Sequence, residues 1–218
     1  MHCCGADSTA TGRFFSYFAG FMRWRYERFG LEKTQRQLVA GIGHEGLTGT
    51  SILEIGCGVG FLHQSLLKHG AETAVGIDLS ERMLYEAHLL AESQGLLEKT
   101  HYRLGDFVEL SNRLEPADII ILDKVVCCYP DAELLVETSL DKTTAVIALT
   151  YPRKHLATRA YIGLYNGFFW LIRTTFRNYI HDPAQIEAWI ADRGFKKVFE
   201  DETLLWLTQV YARPLEAA

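Results

Sequence analysis

The sequence lacks the features that would place it in several common classes of protein. It has no uninterrupted apolar run of the roughly 20 residues that a membrane-spanning helix needs. It has no Cys-x-x-Cys pair, so a zinc knuckle or a thioredoxin-type site has no support and we predict no metal site. Its net charge of −5 is the opposite of the basic excess of proteins that coat nucleic acid, so we predict no nucleic-acid partner.

Signs of disulfides and of export are also missing. The five cysteines are odd in number and include two pairs of sequence neighbours: Cys3, Cys4, Cys57, Cys127 and Cys128. Neighbouring cysteines rarely bridge each other, and no basic segment followed by an apolar one opens the chain. These absences predict a cytoplasmic protein with reduced thiols.

Aromatic residues, in contrast, are abundant and unevenly placed. Of the 26 aromatic side chains, 16 fall within residues 14–29 and 151–180. The same two stretches carry net charges of +2 and +5, which leaves −12 on the remaining 172 residues. This division predicts an acidic core covered by two aromatic, basic segments.

Strands alternate with helices along the chain. The predicted strands are residues 51–55, 73–78, 100–104, 117–122, 144–150, 196–199 and 204–211. The predicted helices are residues 13–29, 32–42, 61–69, 80–95, 131–140 and 183–193, with a loose arm over residues 1–10 and an aromatic insertion over residues 151–180. The alternation predicts an α/β domain with a mostly parallel sheet and a closing antiparallel pair.

A glycine-rich turn follows the first predicted strand, in Ile52-Leu-Glu-Ile-Gly-Cys-Gly-Val-Gly60. Glycines at a strand-to-helix turn let the backbone approach a ligand, and the helix start offers free N–H groups. The third glycine comes one residue earlier than in the dinucleotide pattern, because position 61 is Phe. Glu54 also places a carboxylate beside the turn, which favours a cationic ligand such as S-adenosylmethionine (SAM) over a pyrophosphate. A nicotinamide enzyme is the weaker alternative.

Two further acids follow the next two strands. Asp78 ends the second strand in Gly-Ile-Asp-Leu-Ser, where a carboxylate can accept from both ribose hydroxyls. Asp106 follows the third strand in Gly-Asp-Phe, where it can accept from an adenine amino group. All these residues lie at the carboxyl ends of parallel strands, the ligand-binding edge of open α/β sheets.

The set LEIGCGVG, GIDLS with Met83, and GDF resembles the class I SAM-dependent methyltransferases. The resemblance implies a Rossmann-like seven-stranded sheet with an antiparallel last strand, a SAM cofactor and methyl transfer. It implies one domain over residues 1–218: a helical cap (1–49), a SAM-binding core (50–150), a lid insertion after strand five (151–182) and a closing helix and strands (183–218). The implied cofactor residues are Glu54, Gly56, Cys57, Gly58, Gly60, Asp78, Leu79, Met83, Asp106, Phe107 and Asp123.

The acceptor is predicted to lie beside the end of strand four, in Leu122-Asp-Lys-Val-Val-Cys-Cys-Tyr-Pro130. The segment has no Asn-Pro-Pro-Tyr motif, which the family uses to dock an amino nitrogen, so a small-molecule acceptor is favoured. With the two aromatic covers, this edge supplies the predicted acceptor residues Tyr17, Trp24, Lys124, Cys127, Arg153 and Tyr165.

The last third of the chain, from Leu149-Thr-Tyr-Pro-Arg153 through His181-Asp-Pro183, is similar to the magnesium-protoporphyrin O-methyltransferases. That similarity implies a large, apolar, anionic substrate and favours O-methylation. Within the insertion, Tyr161, Leu164, Tyr165, Phe168, Ile172 and Phe176 fall at helical spacing. The stripe predicts a lid helix packed on the sheet edge, and contact with a membrane surface or an amphiphile is a compatible alternative.

The sulfonium of SAM already activates the methyl group, so the reaction demands few side chains. If the acceptor is a phenol, Tyr129, His155 or His181 is the candidate general base. Two other functions stay open. Cys127 and Cys128, with Cys3 and Cys4, could serve a metalloid or thiol methyltransferase, and the chain could bind SAM without catalysis.

Overall fold

The computed structural model describes residues 8–43 and 46–214, with side chains from residue 12 onward. Seven strands form one sheet: β1 (Ser51–Ile55), β2 (Thr73–Asp78), β3 (Thr100–Leu104), β4 (Ala117–Asp123), β5 (Thr143–Pro152), β6 (Lys196–Glu202) and β7 (Trp206–Ala212). The nine helices of the described part are α1 (Ser8–Ser16), α2 (Ala19–Phe29), α3 (Lys33–Gly43), α4 (Phe61–Lys68), α5 (Glu81–Ser93), α6 (Phe107–Leu110), α7 (Ala132–Asp141), α8 (Leu156–Leu171) and α9 (Pro183–Asp192).

The strand order is β3-β2-β1-β4-β5-β7-β6. The first five strands pair in parallel, and β7 runs antiparallel to both β5 and β6. The predicted Rossmann-like sheet with an antiparallel last strand is therefore confirmed. Among the described residues, none of the helices combines the length and the apolar composition that a membrane span requires.

Helices cover both faces of the sheet because β1, β4 and β5 are apolar on both sides. On one face, Leu38 and Ile42 of α3 and Leu62 and Leu66 of α4 are buried against the strands. On the other face, α7 and α9 bury their apolar sides, with Ile186 and Ile190 completely enclosed. Both layers leave the carboxyl edge of the parallel strands open for the site.

The N-terminal cap differs from its prediction. The single helix expected over residues 13–29 is two helices, because the chain turns at Tyr17 and Phe18 between α1 and α2. The loose arm expected over residues 1–10 gives way to α1 at Ser8, while residues 1–7 lie outside the described part. The stacking of Tyr26 on Phe61, with ring centroids 4.3 Å apart, holds α2 over the start of α4.

The insertion after β5 forms α8 and a returning segment. The predicted stripe is not the packed side of α8: Leu164 and Phe168 are exposed, Ile172 and Phe176 lie beyond the helix, and Phe169, off the stripe, is buried. Side chains from α1 and from the returning segment pack on Phe169. The spacing of apolar residues within α8 alone cannot predict these contacts with other segments. Two main-chain N–H groups hold the returning segment in place. Asn178 N donates to the side-chain Oδ1 of Asn166, and Tyr179 N donates to the main-chain O of Cys127.

Candidate functional site

The carboxyl edge of the sheet holds a cavity of about 340 Å³, which we call the glycine-loop cleft. It lies between the turn after β1, the ends of β2 and β4, and the helices α1 to α3. Its lining includes eight predicted cofactor residues, Glu54, Gly56, Cys57, Gly58, Asp78, Leu79, Met83 and Asp123. The structure does not bring Gly60, Asp106 and Phe107 to this lining.

These three residues have structural contacts that account for their positions. Gly60 caps α4 in a left-handed conformation, with φ +76°. Asp106 caps α6, because its Oδ1 accepts from Val108 N at 2.8 Å, and it also accepts from the Tyr129 hydroxyl. Phe107 is buried in the core. Their predicted contacts with SAM stay predictions.

The glycine turn is shaped for close approach. Gly58 has φ +52°, and a Cβ added there would meet no atom within 4 Å, so the missing side chain leaves space open. Its main-chain N donates to Asp78 Oδ2 at 2.8 Å, and Ser80 N donates to Asp78 Oδ1 at 2.8 Å. Removal from water raises the pKa of Asp78 to about 6, although the hydrogen bonds from Ser80 and Gly58 act in the opposite direction.

Glu54 is held by a buried network that the sequence did not reveal. Its Oε2 accepts from the main-chain N of His63 at 3.1 Å and lies 2.6 Å from His63 Nδ1. His63 Nε2 contacts the Tyr102 hydroxyl at 3.2 Å, and Gln64 Nε2 donates to the same hydroxyl at 3.0 Å. The network orients Glu54 beneath the cleft. A histidine two residues into a helix gives no sequence signal of such a role.

A Gly60→Ala protein is expected to be destabilised by about 2–4 kcal/mol, from left-handed strain and a steric clash. The added Cβ would lie 2.7 Å from His63 Cε1 and 2.9 Å from Gln64 Nε2, both buried. Gly95→Ala is the control, because Gly95 has φ +67° with nothing within 4 Å, so only the strain of about 1 kcal/mol applies. Urea unfolding measures both, and equal losses would contradict this account.

Asp123 and Lys124 lie at the end of β4 with contrasting environments. Asp123 Oδ2 accepts from Gln35 Nε2 at 3.3 Å, while the buried Oδ1 has no partner in hydrogen-bond geometry among the described residues, although the Thr150 hydroxyl acts on the same carboxyl group. Desolvation raises the pKa of Asp123 to about 7. Lys124 has a left-handed backbone with φ 60°, pairs with Glu32 and lies over the Trp206 ring at 5.2 Å. Burial, then the charge of Arg25, lowers the pKa of Lys124 to about 8.

A second cavity of about 200 Å³, the aromatic chamber, adjoins the cleft. Its lining is Phe14, Phe15, Lys124, Cys127, Cys128, Pro152, Tyr161, Ile162, Tyr165, Phe169, Phe176, Asn178 and Trp206. Phe15, Lys124 and Cys128 line both cavities. Lys124 is the only charged residue among the described residues that line the chamber, and its partner Glu32 lies on the cleft side of the junction.

Of the predicted acceptor residues, the structure brings Lys124, Cys127 and Tyr165 to the chamber. It does not bring Tyr17, Trp24 or Arg153 there. Tyr17 is 87% exposed, and Trp24 faces outward on α2 against Phe21. Arg153 forms an ion pair with Glu202, with Nη2 and Oε2 2.8 Å apart, and its Nη1 donates to Thr203 O. Trp206 lines the chamber instead. It lies in β7, far along the chain from most of the other lining residues, so no sequence pattern pointed to it.

The three candidate bases line neither cavity. Tyr129 donates to Asp106 Oδ1 at 3.3 Å, and His155 caps α8 by accepting from Ala157 N. His181 Nε2 donates to Tyr129 O at 3.0 Å, and burial lowers its pKa. Each of the three side chains has a structural hydrogen bond outside both linings, and a base role for any of them stays a prediction.

Two cysteines of the chamber lining lie close together. Cys127 Sγ and Cys128 Sγ are 3.7 Å apart. The hydrogen bond to Cys128 and burial raise the pKa of the Cys127 thiol well above its ordinary value. No group of three or more metal-binding side chains occurs within the described ranges, and Cys3 and Cys4 lie outside them. Soft metals prefer thiolates, which the raised pKa of Cys127 disfavours, and a metalloid or thiol methyltransferase stays a hypothesis.

The cleft fits SAM on structural grounds. Asp123 Oδ1, which has no hydrogen-bond partner among the described residues, can accept from a cationic ligand, and such a ligand favours the carboxylate form. Gly58 leaves its backbone uncovered, and Asp78 lies beside it at the end of β2. Arg25 and Gln35, which line the cleft from α2 and α3, add donors that sequence reasoning did not select.

Comparisons with known proteins agree with this geometry. The family model described as methyltransferase domain matches residues 52–141. A ubiquinone biosynthesis O-methyltransferase of Coxiella burnetii (strain Dugway 5J108-111) is 27% identical over 176 residues, which cover 78% of this chain and 70% of that protein. The protein of the same name from Azorhizobium caulinodans is 31% identical over 170 residues, 73% of this chain and 66% of that one.

Among solved structures, magnesium protoporphyrin IX methyltransferase from Synechocystis PCC 6803 with bound SAH has a TM-score of 0.70. It is 23% identical, and the alignment covers 95% of this chain and 100% of that one. At that identity the likeness concerns the fold alone. The domain match and the related enzymes, whose fold this is, lead to one conclusion: this chain belongs to the class I SAM-dependent methyltransferases, enzymes whose methyl donor is SAM.

Proposed function

We propose that the chain transfers the methyl group of SAM to an oxygen of a small, aromatic, anionic acceptor bound in the aromatic chamber. The observation that carries the proposal is the chamber itself, an apolar space that adjoins the glycine-loop cleft with Lys124 at the junction. Apolar walls with one well-placed charge are typical of sites that bind a flat apolar molecule with one anionic group.

The walls favour an aromatic ring over a flexible chain. Phe14 stacks on Phe176 with ring centroids 5.7 Å apart, and Phe169 meets both at 5.1 Å with its ring edge. Rigid aromatic side chains lose little conformational freedom on binding and offer faces and edges to another ring. The related proteins named ubiquinone biosynthesis O-methyltransferase and magnesium protoporphyrin IX methyltransferase support an apolar, ring-containing acceptor class.

In the cleft, we propose that Asp78 holds the ribose hydroxyls and that Glu54 and Asp123 face the cationic end of SAM. Arg25 is the candidate partner of the carboxylate of SAM, because Arg25 lines the cleft. The ion pair between Arg25 Nη2 and Glu32 Oε2, 3.0 Å apart, holds its guanidinium there. Bound SAM supplies an activated methyl group. Lys124 then holds the acceptor's anionic oxygen at the junction, while Phe15 and the chamber walls exclude water.

An Ile162→Trp protein is expected to lose at least about 100-fold in turnover of an aromatic acceptor, because the indole fills part of the chamber. Ile162 lines the chamber from α8 but not the cleft. SAM affinity measured by calorimetry is therefore expected to stay within about twofold, which also shows that the protein folds.

Leu164→Trp is the matched control, because Leu164 is two residues further along α8, 76% exposed and outside both linings. The assay compares water-soluble phenols and aromatic carboxylates with aliphatic acids, thiols and arsenite. Methylation of thiols or arsenite alone would contradict the proposal in favour of a Cys127 and Cys128 site. SAM binding with no product from any class would favour a protein that binds the cofactor without catalysis.

A further inference from the structure

The outer side of α8 is an unpartnered apolar surface. Trp170 is 73% exposed and Leu171 is 70% exposed, and Leu156, Leu164 and Phe168 are also exposed. Single exposed apolar residues are ordinary, but a contiguous group on one helix marks a surface that another phase or molecule covers. The group lies outside both cavities, so the proposed methyl transfer does not explain it.

A second group of exposed apolar side chains lies at the junction of α1 and α2, which packs against α8. The Phe14 ring meets Phe18 at 5.3 Å and Phe169 at 5.1 Å, so Phe14 joins the two segments. Tyr17, Phe18 and Phe21 are exposed there. We call the exposed apolar side chains of α8 and of residues 17–21 the docking face. Tyr161 and Tyr165 are exposed on α8 and also line the aromatic chamber, so the chamber opens at this face.

The charges on the docking face favour an anionic partner. Arg159 and Arg173 are exposed, and within the described ranges neither guanidinium forms an ion pair. No acidic residue occurs between Tyr151 and Ile180, whereas the chain outside the two aromatic stretches carries −12. The insertion that carries α8 therefore has a net positive charge, in contrast to the acidic remainder of the chain.

We propose that the docking face lies on the surface of an anionic phospholipid bilayer. A helix of 16 residues is about 24 Å long, and one with Trp, Phe and Leu beside arginines is typical of helices in the headgroup region. A protein partner would leave the unpaired arginines less well explained, since phosphates accept from them all along a lipid surface. The opening of the chamber then faces the apolar layer, from which an apolar acceptor enters.

The test is co-sedimentation of the full chain with vesicles. Phosphatidylcholine vesicles with about one third phosphatidylglycerol are expected to bind the protein at least about 10-fold more tightly than pure phosphatidylcholine, and high salt should weaken this binding. Trp170→Glu with Leu171→Glu is expected to weaken binding at least about 10-fold. Arg159→Gln with Arg173→Gln should remove most of the preference for the anionic lipid.

Val198→Glu is the control, because Val198 is exposed on the edge strand β6, away from this face. Unchanged SAH affinity in each variant shows that it folds and keeps its cleft. Equal sedimentation of the unaltered and Trp170→Glu/Leu171→Glu proteins, or no binding to either vesicle, would overturn the proposal. So would a dimer in light scattering that the same variant dissociates, since the face would then join two copies. The proposed methyl transfer is tested separately, in water with soluble acceptors.

Discussion

An Asp123→Asn protein is expected to bind SAM about 10- to 100-fold more weakly than the unaltered chain. Asp123 presents to the cleft a buried carboxyl oxygen with no hydrogen-bond partner among the described residues, and the amide removes its charge with little change in shape. Hydrogen bonds to charged groups contribute about 1.5–3 kcal/mol, which corresponds to this loss of affinity. Calorimetric titration with SAM and SAH measures it.

The same substitution is expected to change two pH dependences. The folded chain raises the pKa of Asp123 from 3.8 to about 7, so it holds this proton more tightly than the unfolded chain does. The contribution of Asp123 to ligand-free stability therefore falls as pH rises between these values. SAM affinity should rise over the upper part of that range, because a cation binds the carboxylate form. Both trends should flatten in the Asn variant, which should be the more stable protein at pH 8 without ligand.

Asp118→Asn is the matched control, because it changes the same residue type on β4 near the opposite end of the strand. Asp118 accepts from Ser51 N at 2.9 Å, and hydrogen bonding from Ser51 lowers the pKa of Asp118. We expect the Asp118→Asn protein to be less stable than the unaltered chain at pH values above the pKa of Asp118. Its affinity for SAM should be unchanged. A loss of SAM affinity as large as that of Asp123→Asn would show that the effect at Asp123 is not local to the cleft.

A Lys124→Met protein is expected to lose about 100-fold in kcat/KM for an anionic aromatic acceptor, with the larger part in KM. Lys124 is the one charged residue among the described residues lining the chamber, so its removal leaves the acceptor's anion without a partner there. A neutral phenol of the same size should lose far less. The comparison of the two acceptors separates a charge effect from a change of shape.

The pH dependence of acceptor binding is the second readout for Lys124. With its pKa lowered to about 8, the ammonium is lost as pH rises through this value, and binding of a carboxylate acceptor should weaken. Lys124→Arg keeps its charge and should remove this decline. Lys142→Met is the control, since Lys142 donates to Leu114 O at the other end of β5. An identical pH profile in the Arg variant would contradict the assigned role.

Sequence reasoning recovered the sheet and the cofactor edge because both follow from local patterns. The strands are short apolar runs, and Glu54, Asp78 and Asp123 lie within or at the ends of them. It failed where distant segments decide the outcome. Phe169 is buried because α1 and the segment at Phe176 pack on it, and Trp206 reaches the chamber because β7 pairs with β5.

The helix α1 closes both cavities at once, and this has a kinetic consequence. Gly12 and Phe15 line the cleft, Phe14 and Phe15 line the chamber, and Ser16 Oγ lies 2.8 Å from Ser80 Oγ. A Cβ on Gly12 would lie 2.3 Å from Leu79 O, so α1 rests directly on the chain after β2. With SAM in the cleft and the acceptor in the chamber, as proposed, a movement of α1 would uncover both ligands. We therefore expect release of the spent cofactor and of the methylated product to respond together to substitutions in α1.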